Sequence, residues 1–432
     1  MKVLITGAAG QIGVGLAKRL AGRHELTLLD NLYNGYVNNL YEDGKLIAPF
    51  FECRVESPRC LETHGRQFNF DENNVVINDT PDISRMTDEE KDKKYGDKWR
   101  NGPIEHWDKD PIDYDVIIHL AAISSLPECE SNIGACIRNN IATTASILDF
   151  ARKRGSHLIF ASTSAVYENT DAEVFTEDLK VDPKLYYSLS KKMCEDLIEA
   201  YRENYGLKVS VLRFFNVFGP DGDQNRQNPP LLNFVYRELN KDQAPVLSGD
   251  GEQVRDFICI DDVVSMIDKC MEKKPDDVFN VCTGKAISVN QISKWVAEEL
   301  GKEHIGLKHK EAEELWDRYP SLFEGKFPLK KEIVGKETTR YSKGSYQKAK
   351  DLLGWEPNLD IESEVKRVVR EIKIKEDKKK LIKDKEDALA KAKEATERAD
   401  RLVELVENNT KQINAAKKIL SEKSLFSRIF GK

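Results

Sequence analysis

Three side chains in the middle of the chain have the types and the spacing of a proton-transfer site. Thr163 ends an apolar segment typical of a buried strand, and Tyr187 and Lys191 lie one helical turn apart in a later segment. A free tyrosine, with a pKa of about 10, is a poor base at neutral pH, but a lysine cation on the same helical face stabilises the phenolate. Such a tyrosine can take a proton from an alcohol while Thr163 hydrogen-bonds the same oxygen. These residues predict alcohol oxidation, which requires a hydride acceptor.

The amino-terminal segment has the pattern of a binding site for that acceptor. An apolar run at residues 2–6 precedes Gly7, Gly10 and Gly13 and then a helical pattern, which is the order of a dinucleotide-binding unit. The glycines of such a unit allow a tight turn, close approach of the pyrophosphate and close packing of the helix on the strand. A second apolar run ends in Asp30, about 20 residues later, where an acid can bind both ribose hydroxyls of NAD and repel the 2′-phosphate of NADP. The sequence therefore predicts NAD as the cofactor.

This chemistry requires a sheet that brings the separate segments together. Apolar runs of the kind buried in a parallel sheet recur at residues 115–122, 158–161 and 209–214, and helical patterns separate them, one of which runs through Ile133 and Leu148. A further segment at residues 255–261 is strand-like. Alternating strands and helices predict an α/β fold with a doubly wound parallel sheet of the Rossmann type. We interpret residues 216–254 and 286–357 as a smaller substrate-binding lobe that faces the carboxyl ends of the strands, where ligands bind in this architecture.

Two segments depart from the alternating pattern. Residues 53–112 exceed what one crossover requires, and we interpret them as an ordered insertion after the third strand. Residues 371–423 contain no proline, glycine or aromatic residue and are rich in Lys, Glu and Ala, which predicts a long helix. Small and apolar residues recur in it at alternating spacings of three and four, which favours a coiled-coil or bundle contact, with a solvated single helix as the alternative. The predicted domains are a unit at 1–366, with its NAD-binding part mainly at 1–215 and 255–285, and a helical tail at 367–432.

Composition argues against several classes of protein. The net charge of −7 is unfavourable for a general nucleic-acid binder, because phosphate contacts need concentrated Lys and Arg. No apolar run approaches the roughly 20 residues of a membrane span. The eight cysteines have neither paired spacing nor accompanying histidines at zinc-ligand spacing. The sequence therefore predicts reduced thiols in a cytoplasmic protein without a metal site or a membrane span.

Eight segments in order resemble the extended short-chain dehydrogenase/reductases of the nucleotide-sugar epimerase and dehydratase family. These segments are TGAAGQIG, DVIIHLAA, FASTSAVY, YSLSKKMCED, LRFFNVFGP, GDGEQVRDFICIDDVV, FNVCTGKAISV and KAKDLLGWEP. The resemblance covers about the first 360 of the 432 residues. It is closest to enzymes of the UDP-glucose 4-epimerase type, which implies a nucleotide-diphosphate sugar as the substrate.

The resemblance also implies roles for individual residues. The implied catalytic residues are Thr163, Tyr187 and Lys191. The implied cofactor contacts are Gly7, Gly10, Gln11, Ile12, Gly13, Asp30, Asn31, Leu120, Ala121, Ala122, Asn140, Tyr187 and Lys191. The implied substrate contacts are Thr163, Asn216, Arg255 and Arg340, the last three at the diphosphate. Relatives commonly form homodimers through helices that correspond to residues 133–152 and 187–204, which implies a homodimer here, with the tail as a further self-association or partner-binding element.

The positions after Thr163 distinguish among the reactions of this family. Dehydratases carry acids there, decarboxylating relatives tend to carry Glu at the second position, and 3,5-epimerases use a Cys, whereas this chain has Ser164 and Ala165. The remaining groups need only remove a hydride and return it, as in UDP-glucose 4-epimerase. The resemblance thus implies C4 epimerisation through a transient 4-keto sugar. A dehydratase, a 4-ketoreductase and an inactive NAD-binding scaffold with an interaction tail are the alternatives.

Overall fold

The computed structural model describes most of the chain outside the predicted insertion. The described residues are 1–33, 35–42, 44–52, 66–67, 69–70, 76–77, 113–222, 229–311, 314, 316, 319–333, 341–358 and 360–430. Most of the predicted insertion at 53–112, and Arg340, therefore lie outside the described residues. The chain divides into two compact units, Met1–Arg370 and Glu371–Lys432. The predicted boundary after residue 366 and the predicted NAD-binding and substrate-binding parts remain predictions.

Strands and helices alternate along the first unit. The strands are β1 (Lys2–Thr6), β2 (Glu25–Asp30), β3 (Tyr41–Glu42), β4 (Lys45–Leu46), β5 (Phe50–Glu52), β6 (Arg66–Gln67), β7 (Asn69–Phe70), β8 (Val76–Ile77), β9 (Val116–His119), β10 (His157–Thr163), β11 (Val209–Phe214), β12 (Asn216–Phe218), β13 (Val246–Ser248), β14 (Val254–Cys259), β15 (Asp277–Val281), β16 (Ala286–Ser288) and β17 (Lys308–Lys310). The α-helices are α1 (Gln11–Leu20), α2 (Leu126–Ser131), α3 (Ile133–Ile137), α4 (Thr143–Arg154), α5 (Tyr186–Tyr205), α6 (Leu231–Asn240), α7 (Ile260–Lys273), α8 (Val289–Leu300), α9 (Gln347–Leu353) and α10 (Ile361–Phe430). Single turns of 3₁₀-helix lie at Val37–Leu40, Ser164–Tyr167, Glu303–Ile305 and Pro320–Leu322, and a π-helix lies at Arg138–Ala142.

A parallel sheet organises this unit. Its order is β15, β11, β10, β9, β1, β2 and β5, and β6 pairs antiparallel with β5. The order reverses between β1 and β9, which is the switch point of a doubly wound sheet and the place where ligands bind in this architecture. The predicted Rossmann-type fold is confirmed.

Apolar side chains fill both faces of the sheet. Every residue of β9 and β10 is buried, as expected of strands that helices cover on both sides. Helix α1 buries Val14, Leu16 and Leu20. Burying each such side chain stabilises the fold by about 1.5–3 kcal/mol, so the strand ends rest on a rigid support.

Three predicted elements differ in extent from the observed ones. The strand predicted at 115–122 ends at His119, because the chain then crosses the glycine turn and the Ala121 amide turns to Thr6 Oγ1 at 3.4 Å. The predicted helix through Ile133 and Leu148 is divided into α3, the π-helix and α4. The strand-like segment 255–261 ends at Cys259, since α7 begins at Ile260 with two acids in its first turn, where the helix dipole favours them.

A smaller lobe adjoins the main sheet. Strand β14 pairs parallel with β12 and antiparallel with β16, and β13 pairs with β17. Helices α6 and α8 pack against each other in this lobe. Strand β12 follows directly from the end of β11 in the main sheet. A substrate-binding role of these elements remains a prediction.

The predicted long helix of the tail is confirmed as α10. In the second unit, the described side chains from residue 377 to residue 421 are exposed. Among the described residues, no helix combines the length and the apolar character that a bilayer crossing requires. The six cysteines of the described segments are free thiols, and all six are buried. The coiled-coil contact and the cytoplasmic location remain predictions.

Candidate active site

A cavity of about 380 Å³ lies at the carboxyl ends of the parallel strands. Most of the predicted site residues line it, namely Gly7, Gly10, Gln11, Ile12, Gly13, Asp30, Asn31, Leu120, Ala121, Ala122, Thr163, Tyr187 and Lys191. The sheet order explains this convergence, because β1 and β10 both end at this edge. These residues thus meet at the switch point.

The glycine turn after β1 leaves no room for side chains at two positions. Gly7 has a φ of +71°, and a Cβ built on it would lie 2.7 Å from the Ala121 nitrogen. A Cβ on Gly13 would lie 2.7 Å from the Ala8 Cα. Gly10 precedes the first turn of α1 and provides no side-chain cap. The backbone N–H groups of that turn are therefore available to donate hydrogen bonds to an anion.

Asp30 connects the glycine turn to the loop after β2. Its carboxylate accepts hydrogen bonds from the Ala9 nitrogen at 2.9 Å and from the Leu32 nitrogen at 2.8 Å. Burial raises the pKa of this carboxyl, and the two backbone donors oppose that shift. Each carboxylate oxygen has a second lone pair, so Asp30 can also accept hydrogen bonds from the hydroxyls of a ligand.

The donors and the space around the glycine turn fit a dinucleotide. Gln11 Nε2 is a buried donor without a hydrogen-bond partner among the described residues, and Gln11 lines the cavity. Buried donors are normally satisfied, so an unpartnered one beside a cavity fits a polar ligand. The open α1 amino terminus suits a pyrophosphate, and Asp30 suits a ribose.

Lys191 is fixed in the wall of the cavity. Its Nζ donates to the Ala161 carbonyl at 2.7 Å and lies 4.8 Å from the centre of the Phe160 ring. The side chain is buried, and this burial lowers the pKa of the ammonium group. Burial and the charge of Lys191 also lower the pKa of His119 to about 3, so the imidazole is neutral. Lys191 therefore supplies the positive charge on this side of the cavity.

Thr163 and Tyr187 stand at two element ends. The Thr163 hydroxyl accepts a hydrogen bond from the Ala165 nitrogen at 3.2 Å and caps the short helix that follows β10. Tyr187 lies in the first turn of α5, so Lys191 follows it on the same helical face. The arrangement places a hydroxyl, a phenol and an ammonium group on one cavity.

Two glutamates take the place of a cap at the start of α5. The N-cap residue, Leu185, has no side-chain acceptor. Glu130 accepts from the Tyr186 nitrogen at 2.5 Å, while Glu168 accepts from the Leu185 nitrogen at 2.7 Å and from the Ser188 hydroxyl at 2.8 Å. Burial, together with the charge of Glu168, raises the pKa of Glu130 to about 7. The sequence analysis missed both glutamates, since neither has helix-cap spacing.

A buried ion pair connects α5 with β10 and β11. Arg213 donates to Glu195 through two nitrogens, at 2.8 and 3.1 Å, and Ser162 donates to the same carboxylate at 2.5 Å. Arg213 also donates to the Tyr167 hydroxyl at 2.8 Å. Breaking a buried pair of this kind costs about 3–5 kcal/mol, because one charge remains without its partner. The pair fixes the strand end at Ser162 relative to the helix that carries Lys191.

The structure places Asn140 differently from the other predicted cofactor contacts. Its amide bonds both the nitrogen and the oxygen of Ile123, at 2.8 and 3.1 Å, and the Ser190 hydroxyl at 2.9 Å. The side chain is 1% exposed, and Asn139 lines the cavity instead. Both residues belong to the π-helix, a distortion that is frequent at functional sites. A cofactor contact of Asn140 remains a prediction.

Two of the three predicted diphosphate contacts, Asn216 and Arg255, do not line the main cavity. Asn216 lines a second cavity of about 130 Å³ and donates to the Asp256 carbonyl at 2.9 Å. Val217 and Pro230 line both cavities, so the two adjoin. Arg255 lies on β14, outside the walls of both, and donates to the Val254 carbonyl at 3.0 Å.

Several residues of the cavity wall were missed from the sequence. They are Tyr33, Gly35, Ile123, Ser124, Asn139, Thr143, Ala161, Ser162, Phe214, Phe215, Val217 and Pro230. Ser124 and Phe214 stand at or just after strands of the main sheet, and the rule that ligands bind at carboxyl ends of strands could have identified them.

One group outside the cavity combines metal-ligand types. Ligand atoms of Cys259, Asp261 and Glu364 all lie within 4.8 Å of one another. The guanidinium group of Arg367 donates to all three residues. This cation pairs with the two acids, and we assign no metal to the group.

Comparisons with known proteins identify similar sequences and folds. Residues 110–368 match the family described as GDP-mannose 4,6 dehydratase. The chain is 31% identical over 259 residues to a UDP-glucuronate 4-epimerase of Thermodesulfobacterium geofontis, which covers 59% of this chain and 71% of the relative. It is 26% identical over 375 residues to a putative UDP-glucose 4-epimerase of Methanocaldococcus jannaschii, and this match covers 86% of this chain and 98% of the relative. The crystal structure of a UDP-glucose 4-epimerase from Thermotoga maritima with UDP-glucose superposes with a TM-score of 0.65 at 26% identity. The superposition covers 87% of this chain and 99% of the Thermotoga maritima chain.

Proposed function

Since the chain belongs to the family described as GDP-mannose 4,6 dehydratase, within the extended short-chain dehydrogenase/reductases of nucleotide-sugar epimerases and dehydratases, we propose that it is an NAD-dependent nucleotide-sugar 4-epimerase. The observation that carries the proposal is the convergence of Thr163, Tyr187 and Lys191 with the glycine turn on one cavity. The two positions after Thr163 are Ser164 and Ala165, both buried, so no acid follows the strand end. This set of groups suits the removal and return of a hydride at one carbon.

NAD fits the cavity on physical grounds. Gly7, Gly10 and Gly13 would hold its pyrophosphate at the amino terminus of α1, and Asp30 would accept from the adenosine ribose. The Asp30 carboxylate disfavours the 2′-phosphate of NADP, since two anions would meet in a buried place. When bound, NAD accepts a hydride from the sugar carbon and gives it back.

Tyr187 moves the proton that accompanies this chemistry. In the oxidation direction its phenolate takes the proton of the sugar 4-hydroxyl, and in the reduction direction its phenol gives a proton back to the same oxygen. Thr163 orients that oxygen by a hydrogen bond. Lys191 stabilises the phenolate through its positive charge, and burial strengthens this effect because few water molecules screen it.

Epimerisation further requires that the 4-keto sugar rotate between the two hydride transfers, so that the hydride returns to its other face. The nucleotide part of the substrate must stay bound during this rotation. Residues outside the main cavity must therefore bind it. We assign this task to Asn216, Arg255 and Arg340. Val217 and Pro230, which line both cavities, support a continuous binding surface from the smaller lobe to Tyr187.

A nucleotide-sugar 4,6-dehydratase is the second candidate, and the family description favours it. Dehydration requires an additional base and acid for carbons 5 and 6 of the sugar. Ser164 and Ala165 provide neither group. We therefore rank the epimerase first.

Proton NMR of the purified protein with NAD and a panel of UDP-, dTDP-, GDP- and CDP-sugars tests the proposal. We expect one pair of C4 epimers to interconvert, seen in the anomeric and H4 signals, without net formation or consumption of NADH. A 6-deoxy-4-keto product would instead establish the dehydratase, and NADH consumed in proportion to product would establish a ketoreductase. Absence of any reaction across the panel, with NAD bound, would leave the inactive scaffold.

We also propose that the protein is a homodimer. Ile133 and Ile137 on α3 and Met193 and Tyr205 on α5 expose 37%, 42%, 44% and 57% of their surface. Helices α3 and α5 pack on each other, so these exposed apolar groups lie on two adjacent helices of the first unit. Exposed apolar groups on adjacent helices suit burial against a second copy of the chain.

The tail adds a further self-association in this proposal. Leu381, Leu402, Val406, Ile413 and Leu420 are between 55% and 70% exposed, at the alternating spacings of a coiled-coil seam. We expect the full chain to form a larger assembly in light scattering than a chain that ends at residue 370. Equal numbers of chains in both assemblies would contradict this role of the tail.

A further inference from the structure

The carboxylate of Asp256 joins three segments that are separate in sequence. It accepts hydrogen bonds from the Thr283 nitrogen and hydroxyl, both at 2.8 Å, from the Gly284 nitrogen at 2.9 Å and from the Gly344 nitrogen at 3.1 Å. The side chain is 0% exposed. The backbone carbonyl of the same residue accepts from Asn216 at 2.9 Å. Asp256 therefore connects β14, the turn after β15 and the chain around Gly344 with a predicted substrate contact.

The segment 341–346, which we call the strap, is fixed on both of its sides. The Ser342 nitrogen donates to the Val254 carbonyl at 3.2 Å. Phe175 donates to the Lys343 carbonyl at 2.8 Å and accepts from the Ser345 nitrogen at 2.9 Å. The strap therefore runs between the start of β14 and the chain at Phe175, with its Gly344 nitrogen bound to Asp256.

The position of Gly344 makes the bond to Asp256 sensitive to small displacements. A Cβ on Gly344 would lie 2.6 Å from the Phe215 ring and 2.9 Å from the Cys282 Cβ. The strap is thus pressed against the end of the main sheet. A change at the Asp256 carboxylate therefore acts on the strap and on the turn at Thr283, because the carboxylate binds both directly.

Successive residues of a strand point to opposite faces, so Arg255 and Asp256 face opposite sides of β14. Asp256 is completely buried, whereas Arg255 is partly exposed. Burial raises the pKa of the Asp256 carboxyl to about 6, and the four donors oppose that shift by binding the anion. The buried anion thus organises the side of β14 away from Arg255.

We propose that Asp256 is a positioning residue for the diphosphate of the nucleotide sugar, which it holds in place through Asn216, Arg255 and the strap without contacting it. This inference rests on the proposed function, since it uses the diphosphate contacts assigned there. Displacing binding groups by about 1 Å can cost up to ~100-fold in activity, which gives such positioning a measurable effect.

Asp256→Asn in the full chain tests the proposal. The amide keeps one oxygen acceptor and turns an NH₂ group toward backbone donors, so at least one hydrogen bond to the group is lost. The probe is UDP, and dTDP, GDP and CDP are titrated in parallel to find the diphosphate that the unaltered protein binds best. We expect the Kd of that diphosphate and the KM of the sugar to rise about 10-fold, which corresponds to one lost hydrogen bond to a charged group. We expect kcat and the NAD affinity to change less than about threefold, since the groups of the main cavity are untouched.

Thr283 provides a second variant pair that does not alter the charge. Thr283→Ser keeps the hydroxyl that donates to Asp256, and we expect it to keep the diphosphate affinity. Thr283→Val removes the donor, and we expect the affinity to fall as in Asp256→Asn. A matched control is Asp262→Asn, because the Asp262 carboxylate accepts from the Asn358 nitrogen at 3.0 Å, outside the strap. This control should leave the diphosphate affinity unchanged.

The possible failures are distinguishable. A proportional fall of kcat and NAD affinity in Asp256→Asn and Thr283→Val would indicate general support of the fold and overturn the positioning role. Unchanged diphosphate affinity in both variants would overturn it as well, provided that Arg255→Ala weakens the binding. If Arg255→Ala leaves the affinity unchanged, the assigned diphosphate site is wrong, and the proposal for Asp256 falls with it.

Discussion

Tyr187→Phe lowers kcat by about 1,000-fold, which lies within the range of ~10²–10⁴ that a positioned acid–base group contributes. The substitution removes only the phenolic oxygen, so proton transfer from the sugar hydroxyl loses its acceptor. Thr163 and the buried Lys191 remain in place, and neither can take over as a base, because a threonine hydroxyl is a much weaker acid–base group and the Lys191 ammonium donates to the Ala161 carbonyl. KM should change by less than about threefold, because the diphosphate contacts are unaffected.

The measurement is the initial rate of epimer formation by NMR, with the NAD content of the same sample determined after denaturation. Tyr186→Phe is the matched control, since Tyr186 is the preceding residue and does not line the cavity. We expect this control to keep its rate. A Tyr187→Phe protein that retained more than a tenth of the kcat would remove Tyr187 from the mechanism.

Substitutions in the glycine turn have the second large expected effect, which is a loss of NAD affinity. Gly13 and Gly10 separate two causes of this loss, distortion of the turn and obstruction of the pyrophosphate. In Gly13→Ala the new Cβ meets backbone atoms of Gly7 and Ala8, which cannot move aside without opening the turn. Overpacking of this kind costs typically about 1–3 kcal/mol, so both stability and NAD affinity should fall. In Gly10→Ala the Cβ lies 3.3 Å from the Gly7 oxygen, a distance that the free protein accommodates with a small shift. Its methyl group would obstruct the approach of the pyrophosphate.

We therefore expect Gly13→Ala to lower the melting temperature and to lose NAD binding, and Gly10→Ala to lose at least about tenfold in NAD affinity with little change in melting temperature. Isothermal titration with NAD and thermal denaturation measure the two quantities. Gly134→Ala on the exposed side of α3 is the control, because its Cβ meets only side-chain ends, Arg138 Nη1 at 3.4 Å and Asn132 Oδ1 at 4.0 Å. Full NAD affinity in Gly10→Ala would exclude close approach of the pyrophosphate at this position.

The elements of the Rossmann unit were predictable because their signals are local. Periodicity identifies β1 and α1, and the glycine spacing predicts the turn between them. Gly7 can form this turn because its φ of +71° is a conformation that other residues rarely adopt. The end of β9 was not predictable in this way. Residues 120–122 are as apolar as the strand, and only the neighbouring Thr6 and the glycine turn decide that the chain leaves the sheet there.

The buried polar partners were outside the reach of sequence patterns. Glu195 and Arg213 are 18 residues apart, and their pairing depends on how α5 packs on β11. The same holds for Asp256, whose donors come from two segments that are distant in sequence. Asn139 and Asn140 are adjacent in sequence, but only Asn139 lines the cavity. The π-helix determines which of the two does so.

The buried Glu195–Arg213 pair has a consequence for how the protein opens. Separating α5 from β10 and β11 would expose an unpaired charge in the core, which costs more than the fraying of most surface elements. The end of β10 and the middle of α5 therefore unfold together or not at all, as one cooperative unit. We therefore expect Thr163 and Lys191 to keep their relative geometry when other parts of the first unit open, and motions that admit a substrate to occur outside this cooperative unit.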